Sequence, residues 1–379
     1  MTTATEPTAP ALATLTTLRT GGPAGRYVEV GTADELVAVV RAADEAGEPL
    51  LVLGGGSNLV VADDGFPGVV VRDVRRAIAV DEADACGGAS VTVAAGTPWG
   101  DVVDRAVAEG WVGVEALAGI PGSTGATPVQ NVGAYGQEVS GVVATVRVWD
   151  RAESRHRVLA LGELGFGYRT SVLKHSLRDP DGRPSRWAPS PRYVVLEVGF
   201  QLRLGTLSAP VGYGELARRL DVEIGARAPL ADVRAAVLEL RAAKGMVLDE
   251  RDPDTWSAGS FFTNPVLPAD VADALPAEAP RYPVRSARPE RTTGPSLGEV
   301  DPTLVKTSAA WLIDRAGFGK GFGLPGPVSL STKHSLALTN RGQGTTADLL
   351  TLARTVRDGV RETFGVELEP EPVLVGVRL

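Results

Sequence analysis

The sequence predicts an α+β fold in two halves. Three observations carry this: short β-rich runs mix with helices without regular βαβ spacing, the 379-residue length suits two or three packed units, and the composition, 44% hydrophobic and 22% charged, is that of a globular protein.

Residues 1–17, rich in Thr, Ala and Pro, read as a disordered tail, with the fold starting near Leu18. Tyr27–Val30 reads as a strand. Thr32 and Glu35 then make a capping box ahead of Leu36, Val39, Val40 and Ala43, and Gly47 stops that helix. Leu51–Leu53 is the next strand, and further β-rich runs fall at Gly68–Val71, Val91–Ala94, Val142–Trp149 and Tyr193–Leu202, with a helix at Trp99–Glu109. A second half begins near 225, with Leu230–Lys244 placing Val233, Val237 and Leu240 on one helical face. Ser308–Ala316 and Thr346–Phe364 are later helices, the last stopped by Gly365. Between them 277–302, dense in Pro and Arg, reads as a surface insertion.

The net charge of −8, from 38 basic and 46 acidic residues, gives no electrostatic reason to expect nucleic acid or an anionic membrane as partner. Cys86 is the single cysteine, and His156, His175 and His334 have no metal-ligand spacing, so neither a disulfide scaffold nor metal chemistry is expected. The first 18 residues contain no Lys or Arg and no long apolar run, which argues against a signal peptide, and no 18 apolar residues run together. A cytoplasmic protein is expected.

With 45 glycines and 27 prolines the chain is rich in turns, so function is sought in loops. Leu53-Gly54-Gly55-Gly56-Ser57-Asn58 leaves a strand as a glycine run whose N–H groups can converge on one anion, although by itself it is equally a tight turn. Its spacing is neither that of a Rossmann motif nor that of a P-loop. A second run, Gly119–Asn131 followed by Gly133–Gly136, puts small residues where a flat or extended ligand can lie. Two such loops favour a long ligand such as a dinucleotide. Gly294-Pro295-Ser296-Leu297-Gly298, with Asp314 and His334 after it, imitates a hydrolase elbow but lacks the strand-to-helix setting. Ser257–Pro265 offers a serine beside two aromatics, and Glu367–Pro372 a carboxylate between prolines; alone, these read more readily as core and as a solvated turn.

Together and in order, these segments resemble the flavin-dependent UDP-N-acetylenolpyruvoylglucosamine reductases of bacterial peptidoglycan synthesis. The matching runs are Thr17–Gly22, Leu53–Asn58, Gly119–Gly136, Phe166–Ser171, Tyr213–Leu216, Gly259–Pro265, Ala309–Asp314 and Leu368–Glu371. The resemblance implies a flavin-binding half of two subdomains of the vanillyl-alcohol-oxidase type at 18–222, a smaller α+β substrate domain at 223–370 and a terminal strand at 371–379. It implies noncovalent FAD on Gly54, Gly55, Gly56, Ser57, Asn58, Leu59, Gly122, Ser123, Gly125 and Ala126, with Arg241 facing the flavin, and NADPH as reductant. Arg169 would contact the enolpyruvyl carboxylate, Ser260 would donate the proton and Glu371 would stabilise the intermediate. Tyr213, Lys244, Asn264, Tyr168 and His334 would bind the UDP-sugar, Tyr213 from a mobile lid of the kind one subclass possesses, and Lys244 would also support Ser260. A monomer is expected. Three departures from the family pattern stand out: His334 where Gln is expected, Val373 where some relatives carry Arg, and an insertion at 277–302 longer than usual.

The competing readings are a flavin-dependent oxidase or hydroxy-acid dehydrogenase, which should lack the Ser260/Glu371 pair, and a non-catalytic nucleotide-sugar binder, which has no need of two glycine loops.

Overall fold

The computed structural model describes residues 9–285 and 299–379. Its first layer is a parallel sheet in the order β1 (Ala24–Val30), β4 (Phe66–Asp73), β2 (Leu50–Leu53), with α1 (Ala33–Ala46) between β1 and β2 in sequence and β3 (Leu59–Val61) outside the sheet. Helix α1 forms because Thr32 and Glu35 satisfy its first free N–H groups reciprocally and Gly47, at φ 65°, turns the chain out of it. Leu36, Val37, Val40 and Ala43 make its buried stripe. They pack on Val69 and Val71, and on Trp149, Val194 and Leu196 of the next sheet.

That second sheet is six-stranded and antiparallel, from β5 (Ile78–Asp84), β6 (Gly88–Ala94), β7 (Trp111–Val112), β10 (Val143–Asp150), β11 (Arg155–Ala160) and β12 (Tyr193–Leu204), with the path β11-β10-β12-β6-β5 and β7 paired to β12. Between β7 and β10 the chain makes the two-residue strands β8 (Gly133–Ala134) and β9 (Gln137–Glu138). Helix α2 (Trp99–Ala108) covers the sheet with Trp99 fully buried. A short α3 (Val172–His175) precedes β12, and α4 (Gly214–Leu220) and α5 (Leu230–Ala243) follow it. Helix α5, expected beyond a boundary at 222, buries Val233, Ala236 and Val237 in the same core as Trp99 and Phe200.

The C-terminal lobe has its own core, in which Phe261 and Phe262 meet α7 (Ala309–Arg315) and α8 (Thr346–Phe364). Its strands are β13 (Val266–Pro268), β14 (Tyr282–Arg285) and β15 (Val300–Lys306), in the order β13-β15-β14, and the pair β16 (Val328–Leu330) and β17 (Leu338–Asn340), with α6 (Ala269–Asp273) after β13. Finally β18 (Val373–Val375) returns to lie parallel to β3.

Two expectations change. The segment 9–17 is not a loose tail: Leu12 is buried, its N–H bonds to Gly22 O at 2.8 Å, and the Thr17 hydroxyl donates to Ser257 O at 2.7 Å. Small apolar and hydroxyl residues suffice there because the partners come from distant parts of the chain. Of the 277–302 insertion, residues 286–298, which include the Gly294–Gly298 run, lie outside the described residues, and its flanks are the paired strands β14 and β15. Among the described residues, no helix is long and apolar enough to cross a membrane.

Candidate active site

The loop Gly54–Asn58 leaves β2 and turns back into β3. Gly56, at φ 64°, lies so close to Leu15 that a Cβ would fall 1.8 Å from its carbonyl oxygen, and a Cβ on Gly54 would fall 2.7 Å from Ser123 Oγ. The second loop is pinned by Thr124 N to Thr97 O and Gly125 N to Ala95 O, both 2.8 Å. Ser57 Oγ donates to Pro121 O at 3.2 Å, so the two loops form one continuous cradle.

This cradle lines a cavity of about 330 Å³. Gly54, Gly55, Gly56, Ser57, Asn58, Leu59, Gly122, Ser123, Gly125 and Ala126 all face it, as do Arg241, Arg169, Ser260 and Glu371. Tyr213, Lys244, Asn264, Tyr168 and His334 do not line it.

Arg169 is placed by a tight turn. Gly167 and Thr170 exchange backbone hydrogen bonds at 3.1 and 3.3 Å, forcing Arg169 to φ 53°, a left-handed conformation that costs a non-glycine residue about 1 kcal/mol. The turn sends its guanidinium to Gly133 O (2.7 Å) and Asn131 O (3.3 Å), while Nε stands 3.2 Å from Glu371 Oε1. Glu371 is fixed from its own side. Its N–H bonds to Phe261 O at 2.9 Å, and Thr263 N to Glu369 O at 3.0 Å, so the Ser260–Thr263 segment runs against the chain around Glu371. Asn58 ties these parts together, its amide donating to Gln130 Oε1 at 2.8 Å and to Glu371 O at 3.5 Å. Burial pushes the Glu371 carboxyl above the usual carboxylate range, against the opposing pull of Arg169 and Lys174.

A second cluster adjoins the cavity through Arg241. Tyr213 stands edge-on to Tyr135 at 5.4 Å, the Lys244 ammonium lies 5.6 Å from the Tyr135 ring centre, and Lys244 pairs with Glu215 instead of Ser260. Burial, reinforced by Lys244, Lys320 and Arg241, pulls the His334 imidazole down to about 4, so it is neutral at pH 7. Asn264 and Tyr168 form a third group: Asn264 N–H donates to the Tyr168 hydroxyl at 3.4 Å, Asn264 Oδ1 accepts from Ala309 N at 3.0 Å, and Lys306 lies over the Tyr168 ring at 4.4 Å.

Three residues near Arg169 escape the sequence reading. Glu138 accepts from Asn131 Nδ2 at 2.9 Å and is raised by burial against the pull of Arg169; Lys306 faces Glu138; Lys174 lines the cavity beside Glu371. Lys174 lies three residues beyond the Phe166–Ser171 run and gave no signal of its own.

The cradle fits a dinucleotide. Among the described residues the N–H groups of Gly55, Ser57 and Asn58 find no acceptor in the chain. Arg241 also lines the cavity, and burial lowers this guanidinium to about 10. Donors and a cation left open toward one cavity are complementary to a pyrophosphate and to an electron-rich ring edge.

Comparison with known proteins agrees with this geometry. Residues 24–158 match an FAD binding domain, and residues 252–375 match the C-terminal domain of UDP-N-acetylenolpyruvoylglucosamine reductase. The UDP-N-acetylenolpyruvoylglucosamine reductase of Thermobifida fusca is 55% identical over 371 residues, 97% of each chain, and that of Nocardia farcinica 54% identical over 369 residues, 97% of this chain and 89% of the relative. The solved structure of the corresponding enzyme from Thermus caldophilus superposes with a TM-score of 0.59 at 26% identity, covering 97% of both chains.

Proposed function

The chain belongs to the UDP-N-acetylenolpyruvoylglucosamine reductase family, and from that premise we propose how its own residues carry the reaction. The reaction is the NADPH-dependent reduction of UDP-N-acetylglucosamine enolpyruvate to UDP-N-acetylmuramate through FAD, in peptidoglycan precursor synthesis. FAD, when bound, supplies the two-electron carrier between NADPH and the enolpyruvyl double bond. Gly55, Ser57 and Asn58 of one loop and Gly122–Ala126 of the other would hold its pyrophosphate, and Arg241 would lie toward the ring. Among the described residues the lining contains no histidine or cysteine, in keeping with a flavin held noncovalently.

A hydride delivered to C3 of the enolpyruvyl group leaves charge at C2 that spreads into the carboxylate. Arg169, oriented by two backbone carbonyls, meets those oxygens with a charge whose value grows toward the transition state. Glu371, whose carboxyl burial pushes toward the protonated form, donates to the enolate in that form, and Ser260 delivers the proton that completes the lactyl ether. Tyr213, with Lys244 and Asn264, holds the sugar-nucleotide diphosphate, and Tyr168 and neutral His334 complete the substrate contacts. Residues 18–222 with α5 serve as the flavin-binding part, the lobe that follows as the substrate-binding part. The protein works as a cytoplasmic monomer on a small-molecule substrate.

The observation that carries this reading is the convergence of Ser260, Arg169 and Glu371, from three distant segments, on the cavity lined by both glycine loops. The purified protein should be yellow, release FAD on denaturation and oxidise NADPH in proportion to added enolpyruvyl ether. A colourless protein that takes up no FAD overturns it.

A further inference from the structure

We propose that Lys174 is a second cationic ligand of the substrate carboxylate, acting beside Arg169. This rests on the reductase reading above and adds a residue to it.

The geometry of Arg169 motivates the search for a second cation. Its three guanidinium nitrogens already face Glu371, Asn131 O and Gly133 O. The guanidinium is therefore largely occupied by its own placement and by the Glu371 carboxyl. Lys174 is in the opposite situation. Its ammonium has no hydrogen bond and no ion pair within 4 Å among the described residues, yet it lines the same cavity. Its backbone is fixed, because Lys174 N donates to Ser171 Oγ at 3.3 Å while Ser171 Oγ donates to Val129 O at 2.5 Å.

An ammonium held half-buried without an acceptor is unfavourable unless an anion arrives. Lys174 and Glu371 line the same cavity, and burial pulls Lys174 down from the ordinary lysine range, with Glu371 foremost among the groups that oppose this and Arg169 and Arg178 adding to it. Among the charged groups around Arg169 and Lys174, Arg169, Lys174, Lys306 and Arg178 are positive and Glu371, Glu138 and Glu369 are at most three negative, so positive charge stays in excess. The surplus matches a ligand carboxylate, and it strengthens as that carboxylate takes up enolate charge.

The test is equilibrium titration of the oxidised, FAD-loaded enzyme, followed by the flavin absorbance. The ligands are the enolpyruvyl ether and UDP-N-acetylglucosamine, which shares everything except the carboxyl-bearing group. Lys174→Met should retain FAD and bind UDP-N-acetylglucosamine as the wild type does, while its Kd for the ether rises roughly tenfold to a hundredfold. Lys174→Arg should recover most of that loss. Equal weakening for both ligands, unchanged binding of the ether, or loss of FAD from Lys174→Met would each overturn the proposal. A wild-type enzyme that does not consume the ether would instead refute the reductase reading itself.

Discussion

The backbone of Gly55 crosses that of Gly122 so closely that a Cβ on Gly55 would lie 2.5 Å from the Gly122 Cα. Neither partner is a flexible side-chain end, so the two loops must separate if Gly55 carries a side chain. Gly55→Ala should lower FAD occupancy, read as the ratio of flavin to protein absorbance. Gly100→Ala, at an exposed α2 position with no atom within 4 Å of the new Cβ, should keep full occupancy and stabilise the fold by about 0.5–1 kcal/mol. Full occupancy in Gly55→Ala would dissociate that contact from cofactor retention.

Ser260→Ala separates the two half-reactions. Flavin reduction by NADPH needs no proton at the substrate carbon, so stopped-flow bleaching should stay near the wild-type rate. Reoxidation by the enolpyruvyl ether should slow by about 10²–10⁴-fold, the usual cost of losing a positioned proton donor. Equal slowing of both phases would make Ser260 a support for the fold.

Glu371 should leave its mark on the pH dependence of reoxidation. Burial raises its pKa, with Arg169 and Lys174 opposing from the facing segments, so the protonated form persists above the usual carboxylate range. Reoxidation is then fastest below that raised pKa and falls as pH rises through it. Glu371→Gln, a permanently neutral donor, should react more slowly yet lose this limb. An unchanged pH profile in Glu371→Gln would remove Glu371 as the titrating group.

His334 makes an opposite prediction, read in stability. Its folded-state pKa, about 4, lies below the unfolded value of 6.5, because burial and the neighbouring Lys244, Lys320 and Arg241 disfavour the imidazolium, with Glu215 opposing. The unfolded chain therefore binds a proton that the folded chain refuses as pH falls from 6.5 toward 4, and up to about 3 kcal/mol of stability is lost over that window. Urea unfolding of His334→Gln should show a correspondingly shallower acid loss between pH 6.5 and 4. Parallel curves for the two proteins would refute the buried neutral imidazole.

Much of the fold was legible because its signals are local. The Thr32/Glu35 box and Gly47 define α1, and the apolar spacing from Leu349 to Val360 defines α8, whose bounds Thr346 and Phe364 coincide with the sequence reading. Strand β5 was not legible. Ile78–Asp84 runs along the sheet edge with its side chains largely in water, so its acidic residues carry no alternation. The order of segment 9–17 was hidden for a different reason: its bonding partners, such as Ser257, are remote in sequence. The glycine loops stood out as motifs, Ser260, Arg169 and Glu371 were singled out only through the family resemblance, and Lys174 gave no signal before the fold set it on the cavity that these residues line. Lys244, proposed from its position as help for Ser260, stands with Glu215.

The pairing of β18 with β3 has a consequence in time. Val373 N bonds to Asn58 O at 2.9 Å, directly behind the first glycine loop, and the two strands are separated by roughly 300 residues of chain. Ribosomes add about 5–20 residues per second, so β3 emerges tens of seconds before its neighbour exists. During that interval the nascent polypeptide carries the loop without its backing strand and without Glu371. The backbone setting of the first glycine loop is thereby completed only once β18 has been translated.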